Sequence, residues 1–221
     1  MTLDIAGYID HTMVKPDTSE AQIAQLCQEA IDYHLAAVAV NPVHVHTCSQ
    51  MVLGWGVAVA SAISFPLGAT STRVKSYEAE QAIEDGATEL DMVINIGALK
   101  SSKYDVVQHD IAAITRICHD AGAICKVVIE AALLTDDEKV TACHLAESAG
   151  ADFVKTSTGF GPGGATVHDV TLMRGAVSPH VGVKAAGGIR SYRDFQALLD
   201  AGATRIGTSA SVKIIREAQS R

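Results

Sequence analysis

One local pattern recurs along this sequence. The segments "IEDGATELDMVIN", "CHDAGAICKVVIE", "AESAGADFVKTST" and "LLDAGATRIGTSA" each end a helical stretch at a glycine and then enter a run rich in Val, Ile and Thr. Glycine just past a helix end supplies the left-handed residue that closes the last turn, and β-branched runs bounded in this way read as strands. "YIDHT", "AAVAVNP", "VAVASAISFP" and "VGVKAAGG" fit the same scheme. Eight strands are therefore expected, over 8–12, 36–42, 57–66, 89–95, 124–130, 153–158, 181–188 and 204–210. Helical patterns such as "SEAQIAQLCQEAIDYH", "TRVKSYEAEQAIEDG", "YDVVQHDIAAITRICHDAG" and "SYRDFQALLDAG" separate them.

Strict β–α alternation implies a parallel sheet with crossover helices. Eight strands in 221 residues favour an α/β fold of the closed (β/α)8 TIM-barrel type, as a single domain over 1–221. A doubly wound open sheet is the alternative, but no G-x-G-x-x-G turn follows the first strand. A hydrophobic fraction of 48% provides a sizeable core, and no apolar run reaches the roughly 18 residues of a membrane span. "MTLDIAGYIDHT" lacks the basic and apolar regions of a secretory signal. The net charge of −8, with no block of Lys or Arg, argues against nucleic-acid or membrane partners. Cys27, Cys48, Cys118, Cys125 and Cys143 are odd in number and show no C-x-x-C spacing, as suits core thiols of a reduced, cytoplasmic protein.

Strand side chains alternate between faces, and a barrel strand presses its all-apolar face against the helices. In "ELDMVIN" the set Leu90, Met92 and Ile94 then points out and Asp91 points in. Cys125, Val127 and Ile129 point out, with Lys126, Val128 and Glu130 inward; Phe153, Lys155 and Ser157 form the inner set of "FVKTST". Lys184 points in while Val181, Val183 and Ala185 point out, and Asp10 of "YIDHT" points in. Three acids (Asp10, Asp91, Glu130) thus meet three lysines (Lys126, Lys155, Lys184) inside one barrel. A purely structural ion-pair network is the alternative reading. Active sites of such barrels lie at the C-terminal strand ends. Lys155 and Lys184 occupy adjacent strands, where burial and mutual repulsion lower a lysine pKa. A neutral amine is a nucleophile able to condense with a carbonyl.

The loops "TGFGPGGAT", "AAGGIRSYRD" and "GTSASVK" follow strands six to eight, where such barrels commonly bind phosphate. Gly187, Gly188, Gly207 and Ser209 are candidate phosphate contacts, with Arg190 as a charged donor. His44 and His46 face apart on a helix start and the other histidines are scattered, so neither a metal nor another cofactor is expected.

"IDHT", "FPLGATSTRVKSYEAEQAIEDGATELDMVINIGALKS", "KVVIEAALLT", "GADFVKTSTGFGPGGATVHDV", "GVKAAGGIR" and "ATRIGTSAS" closely resemble the deoxyribose-phosphate aldolases, a family of class I aldolases, over about residues 8 to 212. The resemblance implies metal-free, reversible cleavage of 2-deoxy-D-ribose 5-phosphate to D-glyceraldehyde 3-phosphate and acetaldehyde. It assigns Lys155 as the Schiff-base lysine, Lys184 as the lysine that tunes it and Asp91 as a partner in proton transfer. It places phosphate at Gly159, Gly187, Gly188, Gly207 and Ser209, leaving Asp10, Lys126 and Glu130 as a supporting network. It also implies a cytosolic homodimer that takes a small phosphorylated sugar. Two positions depart from the family pattern. No tyrosine follows Tyr192 to act as the terminal proton-transfer tyrosine of some members, and Phe160 stands where some carry a phosphate-binding lysine. A phosphosugar isomerase or synthase without a Schiff base, and a non-catalytic sugar-phosphate sensor, are the competing readings. Neither needs paired lysines on strands six and seven.

Overall fold

The computed structural model describes residues 5–220. Its strands are β1 (Ile9–Met13), β2 (Ala37–Val40), β3 (Ala58–Ile63), β4 (Glu89–Val93), β5 (Ile124–Val128), β6 (Phe153–Lys155), β7 (Gly182–Ala186) and β8 (Arg205–Thr208). All are parallel and follow in chain order, and β8 pairs back onto β1 through Asp10–Gly207, closing the barrel. The expected eight strands and the (β/α)8 TIM-barrel class are thus realised, with strand ends displaced by a few residues.

The helices are α1 (Glu20–Asp32), α2 (Val45–Met51), α3 (Thr72–Glu84), α4 (Ile96–Lys100), α5 (Tyr104–Asp120), α6 (Asp136–Ser148), α7 (Val167–Ala176), α8 (Tyr192–Asp200) and α9 (Ser211–Gln219). Local chemistry sets several of their ends. Ser19 with Gln22 and Thr135 with Glu138 form reciprocal capping boxes that satisfy the first amides of α1 and α6. The four repeat glycines (Gly86, Gly122, Gly150 and Gly202) all take positive φ, which explains their recurrence at the helix-to-strand turns. Part of "GTSASVK", read above as loop, is helical from Ser211 onward.

The apolar core lies between barrel and helices. Leu90, Met92, Ile94, Cys125, Val127, Ile129, Val183 and Ala185 are buried in it, as strand alternation requires. All five cysteines are buried and unpaired as disulfides. No helix among the described residues is long and apolar enough to cross a membrane.

The barrel interior is divided unequally. Register pairs Asp10 with Ala37, Ala37 with Ala58, Ala60 with Glu89 and Ala62 with Asp91, so these residues share the inward face. β2 and β3 therefore offer only alanines (Ala37, Ala39, Ala60, Ala62) where β4 to β8 and β1 offer charged side chains. The small residues leave room for lysine and arginine stems that reach across a closed barrel.

A second buried ion pair ties the helical shell to the strands. Lys75 of α3, wholly buried, donates to Asp110 of α5 at 2.5 Å and to the carbonyl of Val93 at the end of β4 at 2.7 Å. Burial pushes the Lys75 pKa down while Asp110 opposes the shift. Removing one partner leaves a buried charge uncompensated, whereas removing both does not. Asp110→Asn should therefore destabilise the fold by about 3–5 kcal/mol. Lys75→Met combined with Asp110→Leu should recover most of that loss, as urea denaturation of the two variants will read.

Candidate active site

Inward parity brings seven charged side chains into three layers. Glu89, Phe153 and Arg205 begin β4, β6 and β8 and form the floor. Two residues further along the same strands, Asp91, Lys155 and Gly207 form the layer nearest the C-terminal mouth. Asp10, Lys126 and Lys184, from β1, β5 and β7, lie between. Lys155 and Lys184 are direct register partners.

Asp91 is the hub. Its Oδ1 accepts from Lys126 at 2.7 Å, and its Oδ2 accepts from Lys155 at 2.6 Å and Lys184 at 2.7 Å. Lys184 also meets Asp10 at 2.5 Å, and Arg205 donates to the other Asp10 oxygen at 2.6 Å. Lys126 reaches Glu89 at 2.6 Å. Two small residues make these contacts possible. A Cβ on Gly207 would meet Lys184 Cε at 3.2 Å, and one on Gly182 would lie 2.2 Å from the Phe153 ring, which carries Arg205 on its face.

Three carboxylates thus face four cations. A closed, low-dielectric interior does not hold that surplus charge easily. Arginine does not give up its proton. Lys126 is held protonated, since Asp91, Glu89 and Asp10 outweigh the burial that would lower its pKa. Burial likewise opposes ionisation of Asp10 and Asp91. The surrounding lysines outweigh it, holding Asp91 well below the usual range and Asp10 at about 2. Lys155 yields. Burial is the largest cause, Asp91 resists, and Lys184 and Lys126 add repulsion, bringing its pKa down to about 8. The nitrogen also lies 5.0 Å from the centroid of the Phe65 ring, on the loop after β3.

Glu130 differs from expectation. The β5 ladder ends at Val128, and Glu130 takes a left-handed conformation (φ 52°) before a 3-10 turn over Ala131–Leu133. That turn breaks the two-residue alternation, so Glu130 leaves the barrel network. Its Oε2 instead accepts from the amide of Thr158 at 3.2 Å and from its hydroxyl at 2.5 Å, joining the loops after β5 and β6. Its place in the network is taken by Glu89, and Arg205 is added. Both were legible: Glu89 shares the parity of Asp91, and Arg205 that of Gly207.

The remaining predicted residues sit around the mouth, with Gly207 just inside it in the uppermost layer of β8. Gly159, Gly187 and Gly188 all have positive φ in the loops after β6 and β7. These two loops are interlocked. Ala165 donates to the carbonyls of Ala186 and Gly187, and a Cβ on Gly164 would meet Gly187 O at 2.2 Å. Thr208 ties the loops after β7 and β8 together by donating to the Ile189 carbonyl at 2.7 Å. Ser209 is exposed beside it, and Arg190 and Phe160 are exposed on the neighbouring loops. The Phe160 amide donates to the Thr158 hydroxyl at 3.1 Å.

His44 and His46 occupy the start of a helical segment and join no metal-compatible group among the described residues. Asp136, His168 and Asp169 do cluster, at the starts of α6 and α7. There the positive charge is supplied by Lys139, at 2.9 Å from Asp136 and 2.6 Å from Asp169.

Relatives with the same architecture match this chain over nearly its whole length. The sequence model of the DeoC/LacD family aldolases matches residues 5–212. The deoxyribose-phosphate aldolase of Thermococcus gammatolerans is 56% identical over 98% of this chain and 97% of its own. The crystal structure of a putative deoxyribose-phosphate aldolase from Coccidioides immitis superposes with a TM-score of 0.95 at 41% identity, covering 99% of this chain and 87% of that one. The deoxyribose phosphate aldolase of Aeropyrum pernix, whose structure is described as a unique tetramer, matches with a TM-score of 0.92 at 36% identity, covering 98% and 91%. With the family model matching residues 5–212 and relatives this similar over nearly the whole chain, this chain belongs to the DeoC/LacD family of aldolases.

Proposed function

We propose that this aldolase cleaves 2-deoxy-D-ribose 5-phosphate reversibly to D-glyceraldehyde 3-phosphate and acetaldehyde through a Schiff base on Lys155. The observation that carries this reading is the amine itself. Lys155 is buried, its pKa is brought down to about 8, and it is held by Asp91 beside Lys184 at the strand ends. About a tenth of it is then neutral at pH 7. A sugar-phosphate sensor or a proton-transfer isomerase has no use for such a group.

The neutral nitrogen adds to the C1 aldehyde, and loss of the carbonyl oxygen as water leaves an iminium. The C2–C3 bond then breaks, its electron pair passing to the iminium to give a neutral enamine. The C3 hydroxyl proton leaves for a base as C3 becomes the aldehyde carbon of glyceraldehyde 3-phosphate. Asp91 and Lys184, 2.7 Å apart, are suited to hold a water that takes this proton. Protonation of the enamine at C2 restores an iminium, and hydrolysis releases acetaldehyde and free Lys155. The phosphate is held by the loops bearing Gly159, Gly187, Gly188 and Ser209, with Arg190 as the charged donor in place of a lysine at Phe160. Gly207 serves here by leaving room for Lys184. Binding the remote phosphate orients the reacting carbons. No step calls for a metal. A homo-oligomer, for which the tetrameric Aeropyrum relative is a precedent, completes the proposal.

Four outcomes test it. Incubation with acetaldehyde and borohydride should add a single two-carbon unit, and peptide mapping should locate it on Lys155; an adduct on Lys126 or Lys184 would refute the assignment. The initial trapping rate should rise about tenfold per pH unit and level off near pH 8, because a depressed lysine pKa frees the amine as pH passes through it. In Lys184→Leu the interior charges balance and Lys155 loses a repelling neighbour, so the midpoint should move to higher pH and turnover should nearly vanish. Finally, Gly188→Asp or Ser209→Asp should impair the phosphorylated substrate at least tenfold more than free 2-deoxyribose, in keeping with a repelled dianion. Equal losses on both substrates would remove these loops from the phosphate site.

A further inference from the structure

Phe65 has no place in the ion network, yet its ring is fastened over the nitrogen that reacts. The centroid lies 5.0 Å from Lys155 Nζ, within the range of a cation–π contact. Its loop is held independently of that contact. Ser64, at φ 56°, donates its amide to the Glu78 carboxylate of α3 at 2.7 Å, and its hydroxyl bonds the Thr70 hydroxyl at 2.8 Å. Its carbonyl accepts from the Gly68 amide at 2.8 Å, and Gly68 packs so closely on β4 that an added Cβ would meet Ile94 O at 1.9 Å. The ring is therefore presented to Lys155 by a loop anchored to α3 and to the end of β4, not placed there by the lysine.

We infer that Phe65 is a catalytic residue whose ring face stabilises the cationic iminium on Lys155. This rests on the Schiff-base reading above. Among the states of that reaction, the ammonium and the iminium put a positive charge at Nζ, while the free amine and the enamine do not. Asp91 can hydrogen-bond the nitrogen in every state that keeps an N–H. The ring quadrupole instead favours only the cations. It thereby supports iminium formation while lending nothing to the neutral species. It also moderates the fall in the Lys155 pKa that burial and Lys184 produce, keeping the ammonium available at neutral pH. An aliphatic side chain in the same place would exclude water equally well and provide none of this electrostatic support.

Replacing Phe65 by 4-fluoro- and then 3,4,5-trifluorophenylalanine removes the quadrupole stepwise with little change of shape. With acetaldehyde and borohydride, the fraction trapped on Lys155 well above the midpoint, where the resting nitrogen is the neutral amine, should fall along the series, by roughly two- to fivefold at its end. The midpoint of the trapping pH profile should move below that of the native protein, the direction opposite to Lys184→Leu. Phe65→Leu should behave like the end of the series and Phe65→Trp should retain trapping. Thermal melting checks that each variant is folded, and the fluorinated forms keep the test valid where Leu is not tolerated. If the trifluoro form traps like the native protein with an unmoved midpoint, the ring is only an apolar wall and the inference is wrong. If the native protein itself forms no Lys155 adduct, the Schiff-base reading fails first, and the inference falls with it.

Discussion

The interior of this barrel is organised by one carboxylate. Asp91 accepts hydrogen bonds from three lysines on three different strands, at 2.6 to 2.7 Å. Without it, Lys126, Lys155 and Lys184 would converge with only Asp10 and Glu89 for compensation. Cations so placed repel strongly and pay a large desolvation penalty. Asp91 allows them to coexist but does not neutralise them completely. The surplus positive charge makes one lysine give up its proton more readily than it would in water. Lys155 is that lysine because the acids are shared unequally. Lys126 touches Asp91 and Glu89, and Lys184 touches Asp91 and Asp10, whereas Lys155 has Asp91 alone.

The floor and the mouth divide the work. At the floor, Arg205 lies between Asp10 and Glu89 and over Phe153, a fixed positive charge that cannot be titrated away. It keeps Asp10 occupied from below while Lys184 holds it from above. The protonation change is thereby confined to the layer nearest the mouth, which holds Lys155. The steric conditions are equally local: Gly182 admits the Phe153 ring, Gly207 admits the Lys184 stem, and the alanine-lined β2 and β3 leave space opposite. An alanine at Gly182 would displace a ring that supports Arg205, so a small change at the barrel wall would reach the charge balance above it.

Around the mouth, hydrogen bonds within and between successive loops hold the backbone in place. Glu130 fixes Thr158, Thr158 fixes the amide of Phe160, Ala165 joins the loops after β6 and β7, and Thr208 joins those after β7 and β8. All but the Thr158–Phe160 bond link neighbouring loops, so the rim is a chain of contacts and not a set of independent turns. Preorganised amides stabilise an anion without reordering when it arrives. In the proposed phosphate site Phe160 adds no charge, and the attraction is assigned to the backbone and Arg190.

Strand and helix order, the closed barrel, and the inward direction of Asp10, Asp91, Lys126, Lys155 and Lys184 were all legible in the sequence. These depend on short-range periodicities, the glycine that ends each helix and the two-residue alternation of each strand, and such signals survive without knowledge of partners. The register of Lys155 against Lys184 followed from the same alternation on consecutive strands. Tertiary structure alone decided which charges pair. Glu130 left the network because the chain turned at the end of β5, and a single left-handed residue erases the parity on which a face assignment rests. Phe65 came to lie over Lys155 through a loop held by Glu78 and Thr70, contacts between residues six and fourteen positions apart that no periodicity records. The sequence by itself determined the barrel and aimed its lysines inward. Only the closed fold, by bringing strands far apart in the chain within 3 Å of one another's charges, decided that Asp91 would be shared and that Lys155 would be the lysine left with the weakest hold on its proton.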